Sequence, residues 1–173
     1  MSIVKALGLS TLLAVLVLTG CSSNPTIAPY MGEDEGMLVF STDIIVRGEA
    51  ELEYNYIFST ENLATGEIFR QRMTVDEGRT YAVVGRLPAG DYRFVKREDI
   101  RRDGRGIRLE DISGEFSVAA GEITLPKHIM VNKSVLTRSV EITDLSDSEA
   151  RILFDLQLAD NDDFRGWRFH GAN

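Results

Sequence analysis

The chain of 173 residues carries one cysteine, two histidines, one tryptophan and four prolines. One cysteine rules out an internal disulfide, so the fold must rest on its hydrophobic core. Neither His128 nor His170 has a cysteine, histidine or carboxylate at metal-ligand spacing, and a structural zinc site needs about four such ligands. No metal or other cofactor is expected. No G-x-S-x-G elbow occurs, and no other catalytic constellation stands out, so no catalytic residue is assigned. Long apolar runs are also missing. The most apolar stretch, Ala6 to Leu18, is about 13 residues against the roughly 20 that a membrane-crossing helix needs.

Acidic residues are in excess, 27 against 19 basic ones, for a formal net charge of −8. Broad nucleic-acid binding depends on neutralising phosphates with a basic surface. An acidic chain argues against nucleic acid as a partner.

What is present begins at the N-terminus. Lys5 precedes the apolar run, and Leu18-Thr19-Gly20-Cys21 closes it with the chain's one thiol. A charged start, a short apolar centre and small residues before the cut form the pattern of a signal peptide. The tetrapeptide resembles the lipobox of bacterial lipoproteins. That resemblance implies removal of residues 1–20 and lipidation of Cys21, hence attachment to a membrane. Ser22, standing where lipoproteins kept at the inner membrane often carry Asp, implies the periplasmic face of the outer membrane. Removing residues 1–20 takes away Lys5 and no acid, leaving 153 residues with a formal charge of −9. That length suits one domain and a tether.

The segment from Cys21 to Gly36 has a tether's composition, with Ser22, Ser23, Pro25, Pro29, Gly32 and Gly36. From residue 37 to 143 the chain reads as strands. Leu52, Tyr54, Tyr56 and Phe58 alternate with Glu53 and Asn55, the period-2 signature of a half-buried strand. Met37–Thr42, Ile68–Val75, Thr80–Leu87, Asp91–Lys96, Glu115–Ala119, Glu122–Val131 and Ser134–Thr143 bring the total to about eight. Pro126 has no amide proton, so its strand is expected to be an edge or to be broken there. Short strands with turn signals between them predict a mainly β fold, an antiparallel β-sandwich of seven to eight strands.

Leu87-Pro88-Ala89-Gly90-Asp91-Tyr92 resembles a hairpin of carboxypeptidase-regulatory-like and other prealbumin-like sandwich domains. Phe116-Ser117-Val118-Ala119-Ala120-Gly121-Glu122 resembles a turn found in small lipoprotein sandwich families. Both resemblances imply the same sandwich architecture.

Residues 144–173 change character. Ser146 and Glu149 fit a capping box, predicting a C-terminal helix with Ile152, Leu153 and Leu156 on one face and an end near Asp160–Asp163. The same stretch also alternates as a strand through Ile152, Phe154, Leu156 and Leu158. Phe164, Trp167 and Phe169 form an aromatic tail that either packs on the sandwich or offers an interface. Asp160-Asn161-Asp162-Asp163 opens like a calcium loop, but Phe164 takes a ligand position and no distal Glu follows, so the run reads as a solvated helix end.

One surface segment is unusual. Lys96–Asp111 sets Arg97, Arg101, Arg102, Arg105 and Arg108 among five acids, with Gly104 and Gly106 suggesting a tip between strands. Its plain reading is a solvated hairpin extension. Its functional reading is a docking loop whose guanidinium forks grip carboxylates or phosphates of an envelope partner or of lipopolysaccharide, and Trp167 in the tail is a second, separate candidate for binding a partner. The function expected is thus a lipid-anchored, non-catalytic binding or scaffold module. The alternatives are a hydrolase of envelope polymers using clustered carboxylates, or a carrier of a small apolar ligand.

Overall fold

A computed structural model describes residues 27–48, 54–101 and 106–170, with Tyr54 and Arg101 described by backbone alone. The signal segment, Cys21, Arg102 and Arg105 lie outside the described residues. Within them no helix is long and apolar enough to cross a membrane.

The described residues form two five-stranded sheets. The first holds β1 (Glu35–Val46), β4 (Tyr81–Pro88), β8 (Glu122–Lys133), β9 (Arg138–Asp144) and the short β10 (Arg168–Phe169). The second holds β2 (Tyr54–Asn62), β3 (Ile68–Thr74), β5 (Gly90–Arg101), β6 (Ile107–Glu110) and β7 (Glu115–Val118). The mainly β sandwich is therefore observed. It is not wholly antiparallel, because β1 and β8 run parallel from Met37↔Ile123 to Val46↔Lys133.

Aromatic rings fill the space between the sheets. Phe40 meets Phe58 edge-on at 4.9 Å, and Phe94 lies 4.7 Å from Phe116. The two motifs read from the sequence are neighbours in space, since Tyr92↔Phe116 and Gly90↔Val118 are pairs of the β5–β7 ladder. The Tyr92 hydroxyl donates to the Pro88 carbonyl at 2.8 Å, closing the turn that precedes it.

A third layer covers the outer face of the first sheet. The helix α1 (Asp147–Gln157) starts at Ser146, whose hydroxyl accepts from the Glu149 amide while the Glu149 carboxylate accepts from the Ser146 amide. The capping box settles these residues as helix rather than strand. The helix ends at Gln157, earlier than expected, and a 3-10 turn at Asp162–Phe164 follows. The buried face differs from expectation in part. Leu153 packs partly against the second core, but Ala150 and Phe154 point inward and Ile152 and Leu156 are exposed. Residues 150, 154 and 158 recur at the four-residue helical spacing, and Phe154 and Leu158 fill the second core with Met37, Val39 and Ile123.

Residues 27–34, just before β1, are fastened to the domain. β1 opens at Glu35, inside the segment expected to be tether. Residues 27–34 run as a strap along the second core. The Tyr30 amide donates to the Arg165 carbonyl at 2.9 Å, and the Trp167 indole donates to the Ala28 carbonyl at 2.9 Å. Gly36 is a close-packing residue: a Cβ there would sit 2.5 Å from the Ala119 carbonyl oxygen. Gly121 takes a positive φ of 71° and accommodates the Tyr30 ring, which a Cβ would meet at 2.8 Å.

Candidate functional site

Two inserted residues decide what faces the interior. On β5, Tyr92 and Phe94 point inward, and strict alternation would send Lys96 and Glu98 after them. The β2–β5 register instead slips by one at Val95, between Thr60↔Phe94 and Ser59↔Lys96. A bulge of one residue transfers every later side chain to the opposite face. Arg97 and Asp99 consequently turn in, opposite Phe58 and Tyr56. On β8 the register slips around Leu125 and Pro126. Ile123 and Leu125 face the helix layer, whereas Ile129 and Val131 face the sandwich interior. Pro126 thus sits at a break, and not at an outer edge, since β8 is flanked by β1 and β9.

On β9, Val140 and Ile142 pack against the central core, and Arg138 shares their phase. At the end of the sandwich where the apolar core stops, the Arg97 Nε donates to Asp99 Oδ1 at 2.7 Å. Arg138, from the other sheet, donates to Asp99 Oδ2. All three are largely buried, with the Asp99 side chain at 0% exposure. Both guanidinium carbons lie 5.9 Å from the Tyr56 ring centre. Burial pushes the Tyr56 phenol up to about 12, although Arg138 and Arg97 pull the other way.

The cluster forms the floor of a cleft of about 500 Å³ whose walls include Arg108, Glu110, Ile107 and Val140. Arg108 is exposed on β6 and pairs with Glu110. Among the described residues that line it, three arginines stand against two carboxylates, one net positive charge in an otherwise acidic chain. Guanidinium groups lining a concave, partly desolvated site suit carboxylate or phosphate ligands, which match their planar fork.

The arginine-rich segment is therefore not one loop. Lys96–Arg101 continue β5, and Ile107–Glu110 form β6 along it, with Arg97↔Glu110 and Asp99↔Arg108 as paired positions. Arg97, expected as an exposed docking residue, is instead a buried member of the cluster. Arg101 ends β5, and Arg108 projects from the surface. Trp167 is buried, with Tyr30 5.0 Å away on one side and Arg86 5.2 Å from its ring centre. Its setting in this fold is that of a core residue.

From sequence alone Asp99 reads as one counter-ion among several, and Arg138 does not stand out. The phase of Arg138 with Val140 and Ile142 is a usable signal for it. Nothing local marks the bulge that turns Asp99 inward.

The outer face of the second sheet holds another ion cluster. Arg70 donates to both Glu98 oxygens at 2.9 Å, and Lys96 lies 3.0 Å from one of them. Burial alone would raise the Glu98 carboxyl, but Lys96 and Arg70 together hold it below the usual 4.5.

The histidines are apart. His128 lies 3.2 Å from the Ser41 hydroxyl, and His170 lies 2.8 Å from a Glu122 oxygen. His170 borders a second cavity of about 570 Å³ between β7 and α1. Among the described residues, no three histidine, cysteine or acidic side chains gather as a metal site. The run at 160–163 leads into the 3-10 turn, where the Asn161 side chain accepts from the Asp163 amide and Arg165 pairs with Asp162.

No family model matches the chain, and no curated protein matches it. A crystal structure of a leucine-rich repeat protein from Bacteroides thetaiotaomicron shares 16% identity, with a TM-score of 0.37. That match covers 58% of this chain and 14% of the other. A likeness so slight carries no argument about either fold or function.

Proposed function

We propose that this chain is a lipid-anchored lipoprotein of the bacterial envelope, held through Cys21 at the periplasmic face of the outer membrane, and that its sandwich is a non-catalytic binding module. The cleft over Arg97, Asp99 and Arg138 is its site for an acidic group of an envelope component. The observation that supports this most is the cleft's positive charge, built from buried guanidinium groups in an acidic domain. Both carboxylates in its walls are engaged by arginines, which suits binding better than acid–base catalysis. The edge-to-face rings between the sheets likewise speak against a carrier holding an apolar ligand there.

A photo-crosslinker in place of Ser139, at the cleft rim, tests the reading in the full-length protein in a bacterial envelope. The expected result is a discrete adduct that disappears when Arg97→Met, Asp99→Leu and Arg138→Met are combined in a chain that still folds. An equal adduct in that folded variant would count against the cleft.

A further inference from the structure

The strap determines which way the domain faces, given the lipid anchor at Cys21 on which this inference rests. A free tether over residues 21–36 could hold the domain some 50 Å from the bilayer in any orientation, since about 15 residues reach that far. Residues 27–34 are instead fastened to the second core by Tyr30, Trp167 and Arg165. They also reverse the chain. Glu33 lies near Arg86, towards the Pro88 end of β4. Ile27 shares a small cavity with Thr74, Asp76, Arg79, Tyr81, Ala82 and Val83, at the β3–β4 turn and the start of β4. Five residues separate Cys21 from Ile27, a reach of about 20 Å at full extension. The strap thus delivers the chain towards the end of the sandwich that carries the β3–β4 turn, and that end lies within reach of a lipid anchored at Cys21.

That same end carries the arginine cleft and the turn between β8 and β9. Thr74 pairs with Asn55, and the next residue of β2, Tyr56, pairs with Asp99. In the other sheet Tyr81 pairs with Ser41, and β1 runs on beside β8 to Val46↔Lys133. In the turn that follows, Val135 is 68% exposed and Leu136 is 92% exposed. On β6, Ile107 and Leu109 are exposed beside the cleft. Exposed apolar side chains next to cationic ones form the combination that settles at a lipid headgroup boundary. The acidic remainder of the domain is repelled by a negatively charged surface, so contact is favoured end-on and disfavoured along its length.

We infer that this end of the sandwich docks on the bilayer, with Val135 and Leu136 entering the headgroup region and the cleft arginines facing lipid phosphates. The acidic group proposed for the cleft is then the phosphodiester of the membrane that the anchor itself selects.

The test uses the full, lipidated chain in vesicles of phosphatidylethanolamine and phosphatidylglycerol. Once acylated, Cys21 offers no thiol, so Leu136→Cys introduces one labelling position for an environment-sensitive fluorophore. Leu156→Cys, on the exposed face of α1, serves as the control. The expected result is blue-shifted emission at position 136 that is quenched by brominated acyl chains, with water-like emission at 156. Water-like emission at both positions in palmitate-bearing protein overturns the docking and leaves the anchor standing. Equal quenching at both overturns the end-on orientation. An unchanged signal at 136 in vesicles of phosphate-free galactolipid overturns the headgroup assignment. Absence of palmitate removes the anchor and the inference with it.

Discussion

Arg138 of β9 donates to Asp99 of β5, so an ion pair bridges the two sheets at the point where the aromatic core gives out. Asp99 is also the acceptor for Arg97. Replacing Asp99 by Ala would remove the buried carboxylate that both guanidinium groups share, a loss of about 3–5 kcal/mol. Urea unfolding followed by far-ultraviolet dichroism should show a markedly lower midpoint. Replacing all three members by Met and Leu should be close to neutral, because apolar groups of similar volume avoid the desolvation cost. Stability and ligand capture can thereby be separated.

Tyr56 provides an optical handle on the same cluster. Its phenol is raised from 10.0 to about 12 in the folded chain. A tyrosine that holds its proton more tightly when folded contributes stability below the unfolded value, and that contribution fades as pH rises through the folded one. Titration of phenolate absorbance should include a late step that Tyr56→Phe removes. A Tyr56 step at the ordinary tyrosine value would mean that the ring is wetter than described.

Acid should act through Glu98. Its carboxyl is held low by Lys96 and Arg70 against the effect of burial. A depressed acid stabilises the fold above its unfolded value of 4.5, and that stabilisation is lost as pH falls through the lower, folded value. Chemical unfolding measured at successively lower pH should become less pH-dependent in Glu98→Gln, and Arg70→Met should shift the acid transition upward.

The two ends of the strap contact should respond differently to truncation. Trp167 packs against Tyr30 and Arg86 in the second core, so Trp167→Ala should cost about 3–5 kcal/mol. Tyr30→Ala should act locally instead. Amide hydrogen exchange should accelerate over residues 27–34 while the β1–β8 ladder stays protected. Exchange that rises equally throughout both sheets would show that the strap is integral to global stability.

Much of this architecture is legible in the sequence because it is written in short-range chemistry. Alternation locates the strand around Phe58, preceding turn signals locate the strands around Phe69 and Val84, and the Ser146–Glu149 box locates the helix start. The less legible parts arise from single-residue insertions and long-range pairing. One extra residue at Val95 inverts the facing of Arg97 and Asp99, and one near Pro126 moves β8 from the helix layer to the central core. The parallel pairing of β1 with β8 joins Met37 to Ile123, beyond the reach of any local pattern. Gly36 reads as a flexible linker residue, but it is present because Ala119 leaves no room for a side chain. The candidate cleft is half visible: Arg97 and Arg108 are conspicuous, whereas Arg138 and the carboxylate that organises the cluster are not.

Metabolic labelling with palmitate, followed by membrane fractionation of the unaltered chain and of Cys21→Ser, tests the central claim most directly. The account predicts labelled, membrane-bound mature protein beginning at Cys21, and unlabelled, uncleaved precursor in the variant. Identical processing of the two chains, with no fatty acid on either, would contradict it.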